Sequence, residues 1–282
     1  MTVLLASPYS LAAGTEIVAQ VEAHNAFGYS TASPSSSSGI LVSTTPDAMS
    51  IPTMNNSTTT ATSLVVDWTS LAVSAAGYSA ATSYNLYWDA GTSGASFVSL
   101  VGESSDSLAT SLTVTTGVSE GGSYQFKVRA KNIHGYGSFS SVATLVASSK
   151  PDAPSTVTTA YDSNGDVVVT WVAPDDNGSD ITAYYVVFAD EAETTYTPHT
   201  SCDAWADSTF VTTLTCTVSM NSLTAAPYSI PREDLISVKV QAFNSRGWGA
   251  RSTVNTSGAT AKTIPAQMTA PTRGTDTTTS RI

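Results

Sequence analysis

The stretch KNIHGYGS, residues 131–138, gathers a histidine, an asparagine, two glycines and a tyrosine, the side chains from which a general base and a polar pocket are often built. The chain's other histidines, His24 and His199, sit far from it in sequence, and none recurs at an equivalent place. A Gly-x-Ser-x-Gly elbow, a phosphate-cradling glycine loop and a His-Glu-x-x-His zinc helix are all missing, so nucleophilic, phosphoryl and zinc-hydrolytic chemistry find no support. The opening Asp162-x-Asn164-x-Asp166 of DSNGDV mimics a calcium loop, but the later Gly and the bidentate Glu do not follow. Its Asn-Gly pair instead favours a tight turn. The acidic Asp152, Asp175 and Asp176 are loose candidates for calcium between repeats. The expectation is a protein that is not an enzyme and takes no cofactor, with no catalytic, cofactor-binding or metal residue assigned.

Why KNIHGYGS exists is answered by its company. VEAHNAFGYS (21–30), VRAKNIHGYGS (128–138) and VQAFNSRGWGA (240–250) share the pattern Val-x-Ala-x-Asn-x-x-Gly-aromatic, with the asparagines 107 and 112 residues apart. PYSLAAGTEIVAQVEAHN (8–25) also lies without gaps on PYSIPREDLISVKVQAFN (227–244). What recurs is an asparagine and a glycine able to take a positive φ: Asn25 and Gly28, Asn132 and Gly135, Asn244 and Gly247. Ahead of it Tyr124, Phe126, Val128 and Ala130 alternate with Gln125, Lys127 and Arg129, the period of a half-buried strand. KNIHGYGS therefore reads as a hairpin turn.

The surrounding composition agrees. Of 282 residues 41% are apolar and only 12% charged, while Ser and Thr make up roughly 30%, a balance suited to β-rich surface or secreted chains. The net charge of −11 with scattered bases disfavours nucleic acid and anionic membrane surfaces. No apolar run reaches the ~18 residues of a membrane span, and the opening MTVLLASPYSLAAG lacks the positive region of a signal peptide.

Each repeat also has an upstream half. SLVVDW (63–68) and DVVVTW (166–171) end in Trp68 and Trp171, and ATSYNLYW (81–88) and ITAYYVVF (181–188) follow with Tyr84 and Tyr184. Proline-bearing TPDAMSIP (45–52), KPDAPST (150–156) and IPAQMTAP (264–271) mark short, stiff boundaries. In this order and spacing the residues resemble fibronectin type III domains, seven-stranded sandwiches of the immunoglobulin-like class. The resemblance implies an all-β chain of tandem sandwiches, with the tryptophans on strand B, the tyrosines on strand C, APDDNGSDIT (173–182) as a B–C loop, and Tyr124 and the VRAKN and VQAFN ends on strand F. The family's integrin-binding Arg-Gly-Asp is absent. The expected domains are a partial repeat at 1–44 with strands E to G, repeats at 45–149 and 150–264, and a linker with a first strand at 265–282. Half a sandwich cannot bury its apolar face alone, so a segment of a longer array is expected.

Cys202 and Cys216 are the sole cysteines and fall in one repeat. They read as a disulfide closing a local loop in an oxidising compartment, two buried thiols being the other reading. Asn55 and Asn56 in NNST, Asn177 in NGS and Asn255 in NTS are acceptors for N-linked glycans in predicted loops or strand edges. The SSSS at 35–38 and TTTATS at 58–63 suit O-glycans or plain solvated loops. Trp88, Trp205 and Trp248 fit either a sugar platform or a core edge. The expected function is a non-catalytic extracellular structural or adhesive protein, part of a rod, filament or surface fibre, bearing covalent glycans and contacting copies of itself. An adhesion-receptor ectodomain and accessory modules of a polysaccharide-active enzyme are the alternatives.

Overall fold

The computed structural model describes residues 6–203, 209–263 and 268. They form two compact units, Met1–Lys150 with Asp176–Asp180, and Pro151–Asp175 with Ile181–Ile282. Strands come first, because the alternating aliphatic and hydroxyl residues of these segments bury one face and solvate the other.

The first unit opens with a hairpin built from β1 (Glu16–Ile17), β2 (His24–Asn25), β3 (Gly28–Tyr29) and β4 (Ile40–Leu41). β1 pairs with β4 and β2 with β3, and Ser30, Ser33 and Ser36 bond back to Ala23, Val21 and Ala19 between them. These strands occupy the places where strands F and G of the 1–44 segment are expected; among the described residues no strand precedes them, and residues 1–5 lie outside that set. A sandwich follows, made of β5 (Thr53–Met54), β6 (Leu64–Asp67), β7 (Ser83–Trp88), β8 (Val98–Val101), β9 (Ser111–Val114), β10 (Ser123–Asn132), β11 (Gly135–Tyr136) and β12 (Ala143–Val146). One sheet has the order β5-β6-β9, the other β11-β10-β7-β8 with β12 also on β10. That is A-B-E against C′-C-F-G. Between the sheets Leu64, Val66 and Trp68 meet Tyr84, Leu86, Trp88, Tyr124, Phe126 and Val128, all buried. Each fully buried aliphatic or aromatic side chain here contributes about 1.5–3 kcal/mol.

The second unit repeats the plan with β13 (Val157–Tyr161), β14 (Val167–Trp171), β15 (Ala183–Ala189), β16 (Tyr196–Asp203), β17 (Thr215–Val218), β18 (Val238–Asn244) and β19 (Gly247–Trp248). Its sheets run β13-β14-β17 and β16-β15-β18-β19. Among the described residues helix is confined to two single turns, α1 (Phe210–Thr213) and α2 (Met220–Leu223), flanking β17. The strand expected at 265–282 lies outside the described residues, apart from Met268. No helix of the described residues is long and apolar enough to cross a membrane.

Candidate interaction face and the placement of the site residues

The three F–G turns share one geometry. Oδ1 of Asn25, Asn132 and Asn244 accepts the backbone N–H of Phe27, His134 and Arg246, at 2.8 Å each time. Gly28, Gly135 and Gly247 close the turns at φ of 129°, 117° and 114°, a region that L side chains avoid. His134 Nε2 bonds Ser43 Oγ at 2.7 Å. Asn132 goes further and donates Nδ2 to Thr44 O and Ala76 O, tying strand F to the segment entering its own repeat. A second contact recurs beyond the turn. Oγ of Ser33, Ser140 and Ser252, each twelve residues beyond a strand-F valine, accepts the N–H of Val21, Val128 and Val240. That constant spacing was the available signal.

The core residues expected from the sequence, Trp68, Tyr84, Tyr124, Trp171 and Tyr184, are all buried. Tyr124 fixes its corner by accepting Ser119 N–H and donating to Gly117 O. Trp88 is core rather than platform, stacked on Tyr124 with centroids 5.5 Å apart. Trp248 is half-buried against Phe243 and Tyr185, and Trp205 lies outside the described residues. Cys202 on β16 and Cys216 on β17 are joined by a disulfide. Among the sequons Asn56 is exposed and Asn55 half-buried, its Nδ2 bonding Asp67. Asn177 takes a left-handed turn conformation and donates Nδ2 to Lys150 O. Asn255 corrects the expectation. It is 7% exposed, its Nδ2 donates to Ile236 O and Ser257 O, and its Oδ1 accepts Val238 N–H. Its carboxamide replaces a strand-F ladder bond and points inward, where no glycan fits.

The outer C-F-G face of the first sandwich carries the densest side-chain chemistry. Residues 1–149 contain three basic residues, Lys127, Arg129 and Lys131, all at alternate outward positions of β10 and so about 7 Å apart. They interleave with rings. Lys127 Nζ lies 4.1 Å from the Phe97 centroid and 4.6 Å from that of Phe139. The Arg129 guanidinium lies 4.5 Å from Phe139 and 4.0 Å from Tyr136, and Lys131 reaches Tyr136 at 5.6 Å. Such cation–ring contacts contribute about 0.5–2 kcal/mol each according to desolvation. Arg129 Nε also donates to Asn85 Oδ1, and Lys131 pairs with Asp106 at 2.8 Å, the bond that raises its pKa. Tyr87 donates its hydroxyl to Glu103; burial first, and then that carboxylate, push its pKa up. The rings come from β7, the segment before β8, and beyond β10, so no local spacing announced them.

Compared with known families, residues 50–146 match the model described as "Fibronectin type III domain". The first sandwich is a fibronectin type III domain. The second unit repeats its strand order. Among solved structures, the crystal structure of chicken CNTN1 FN1–FN3 domains is 16% identical with a TM-score of 0.42, covering 84% of this chain and 75% of that one. A comparison with curated proteins finds no match. Within the fibronectin type III frame the invariant residues shape backbone. The outward side chains of strand F change between repeats, as Gln20, Glu22 and His24; Lys127, Arg129 and Lys131; Lys239, Gln241 and Phe243, with only the lysine at 127 and 239 shared by two of them.

Proposed function

We propose that the chain is a non-catalytic, extracellular structural or adhesive segment of a tandem-repeat rod or fibre, with repeats at 45–149 and 150–264. The observation that carries this reading is the contrast just described: an unvarying Asn–Gly turn under an outward face that changes from repeat to repeat. The Cys202–Cys216 disulfide supports an oxidising compartment. The exposed Asn56 is the sequon best placed to carry a glycan.

The hairpin of β1–β4 supports the array. Val21 is 72% exposed, whereas Val128 and Val240, which hold its position in the two sandwiches, are fully buried. The hairpin has the F and G strands of a third repeat and, within the described residues, nothing packed on its apolar face comparable to β6 and β9. Amide exchange tests this on the 282-residue protein. Residues 18–24 should exchange orders of magnitude faster than 124–130, since their bonds are open to water. Equal protection of the two would refute the assignment of the hairpin as part of a repeat, and electron microscopy of native material free of rods or fibres would refute the array.

A further inference from the structure

The first sandwich's basic ladder leaves one charge unanswered. Lys131 has Asp106 at 2.8 Å and Arg129 has Glu103 at 4.0 Å, but among the described residues no carboxylate lies in ion-pair range of Lys127. Its ammonium is held between two rings, beside a groove of about 560 Å³ that runs along β8 past Phe97, Val98 and Leu100. Val98 is 51% exposed. A rigidly placed cation beside a groove that Phe97, Val98 and Leu100 line together with Ser99, Glu103 and Ser104 is a local surface that an acidic protein segment can complement at Lys127.

The complement is present on the second unit. The turn after β15 carries Asp190, Glu191 and Glu193, and Asp234 joins them around a pocket of about 160 Å³. Asp190 is committed to the N–H groups of Thr194 and Thr195, and Glu193 to Ser237. Glu191 and Asp234 are exposed and have no ion-pair partner among the described residues. Arg232, alongside, already faces Glu233 at 3.6 Å.

We propose that the Lys127 ladder of one copy docks on the Glu191–Asp234 rim of a second copy. The two surfaces are unlike, so the contact is heterologous, the ladder of one copy against the rim of the next. This rests on the reading of the chain as a structural array and names its lateral or end-to-end partner, another copy of itself.

The test is sedimentation velocity on the 282-residue protein up to about 1 mM, in salt of about 50 and 500 mM. The expected result is concentration-dependent growth at low salt that collapses at high salt. Lys127→Glu and Glu191→Lys should each weaken association by about tenfold or more, and the double reversal should restore it. Lys127→Met keeps the aliphatic stem between the rings; it should fold normally and lose the salt-sensitive association. A wild-type protein monomeric throughout, single variants that associate like wild type, or a double variant that stays monomeric would each overturn the docking. None of these touches the array reading, which the amide-exchange and microscopy results decide.

Discussion

Removing the Asn132 side chain separates what the F–G turn does for itself from what it does for its neighbours. In Asn132→Ala three hydrogen bonds go: Oδ1 from His134 N–H, and Nδ2 to Thr44 O and to Ala76 O. The site is 2% exposed, so water does not simply replace them. A net loss of about 1 kcal/mol per bond, plus the cost of orphaned buried groups, gives about 3–5 kcal/mol. Asn25→Ala is the internal control. Asn25 makes the same Oδ1 bond to Phe27 N–H but is exposed, so the expected cost is under about 1 kcal/mol. Asn132→Asp should be at least as harmful as the alanine, because its carboxylate keeps the acceptor but faces two carbonyl oxygens where the amide donated. Exchange measured on peptides from 124–131 reads this locally: about 3 kcal/mol corresponds to roughly a hundredfold loss of protection. A loss below about fivefold, or equal responses at Asn25 and Asn132 in their own strands, would refute the idea that the asparagine anchors the incoming segment.

Three further outcomes follow from the geometry. Reducing the disulfide, or replacing both cysteines by serine, opens a loop spanning 14 residues and should cost the second unit about 3 kcal/mol in urea unfolding while leaving the first unit's transition in place; loss in both units would contradict it. Burial holds the His199 imidazole below its usual pKa. The folded unit therefore binds fewer protons than the unfolded chain, and stability that is full above pH ~6.5 falls as pH drops through that value toward the lowered one. His199→Gln should flatten this slope, and an unchanged slope would sink the assignment. A Cβ at Gly137 or Gly249 would lie 2.3 or 2.2 Å from the carbonyl oxygen of Pro46 or Pro151, so either alanine substitution should destabilise its own unit by about 1–3 kcal/mol, read by thermal unfolding.

The parts of the fold that sequence spelled out are those governed by local period and turn chemistry. Strand F alternates over Tyr124–Lys131, and the Asn–Gly pairs recur, because both depend on neighbours along the chain. The cation–ring ladder was illegible for the opposite reason: Phe97, Phe139, Tyr87 and Tyr136 reach Lys127 and Arg129 only after four segments assemble. Asn255 shows the limit of a motif. The tripeptide is visible in sequence, but whether its amide faces water or repairs a strand's hydrogen bonding depends on where Ile236 and Val238 lie. Trp88 likewise sat at a strand end where outward and inward are one residue apart, and the pleat turned it onto Tyr124.

At the tip of each F–G turn the asparagine grips a main-chain amide and ignores the side chain attached to it, which is why Phe27, His134 and Arg246 all occupy the same place. The turn's own closure thus makes no demand on what projects from that apex, and an aromatic, an imidazole or a guanidinium is held by the same main-chain grip.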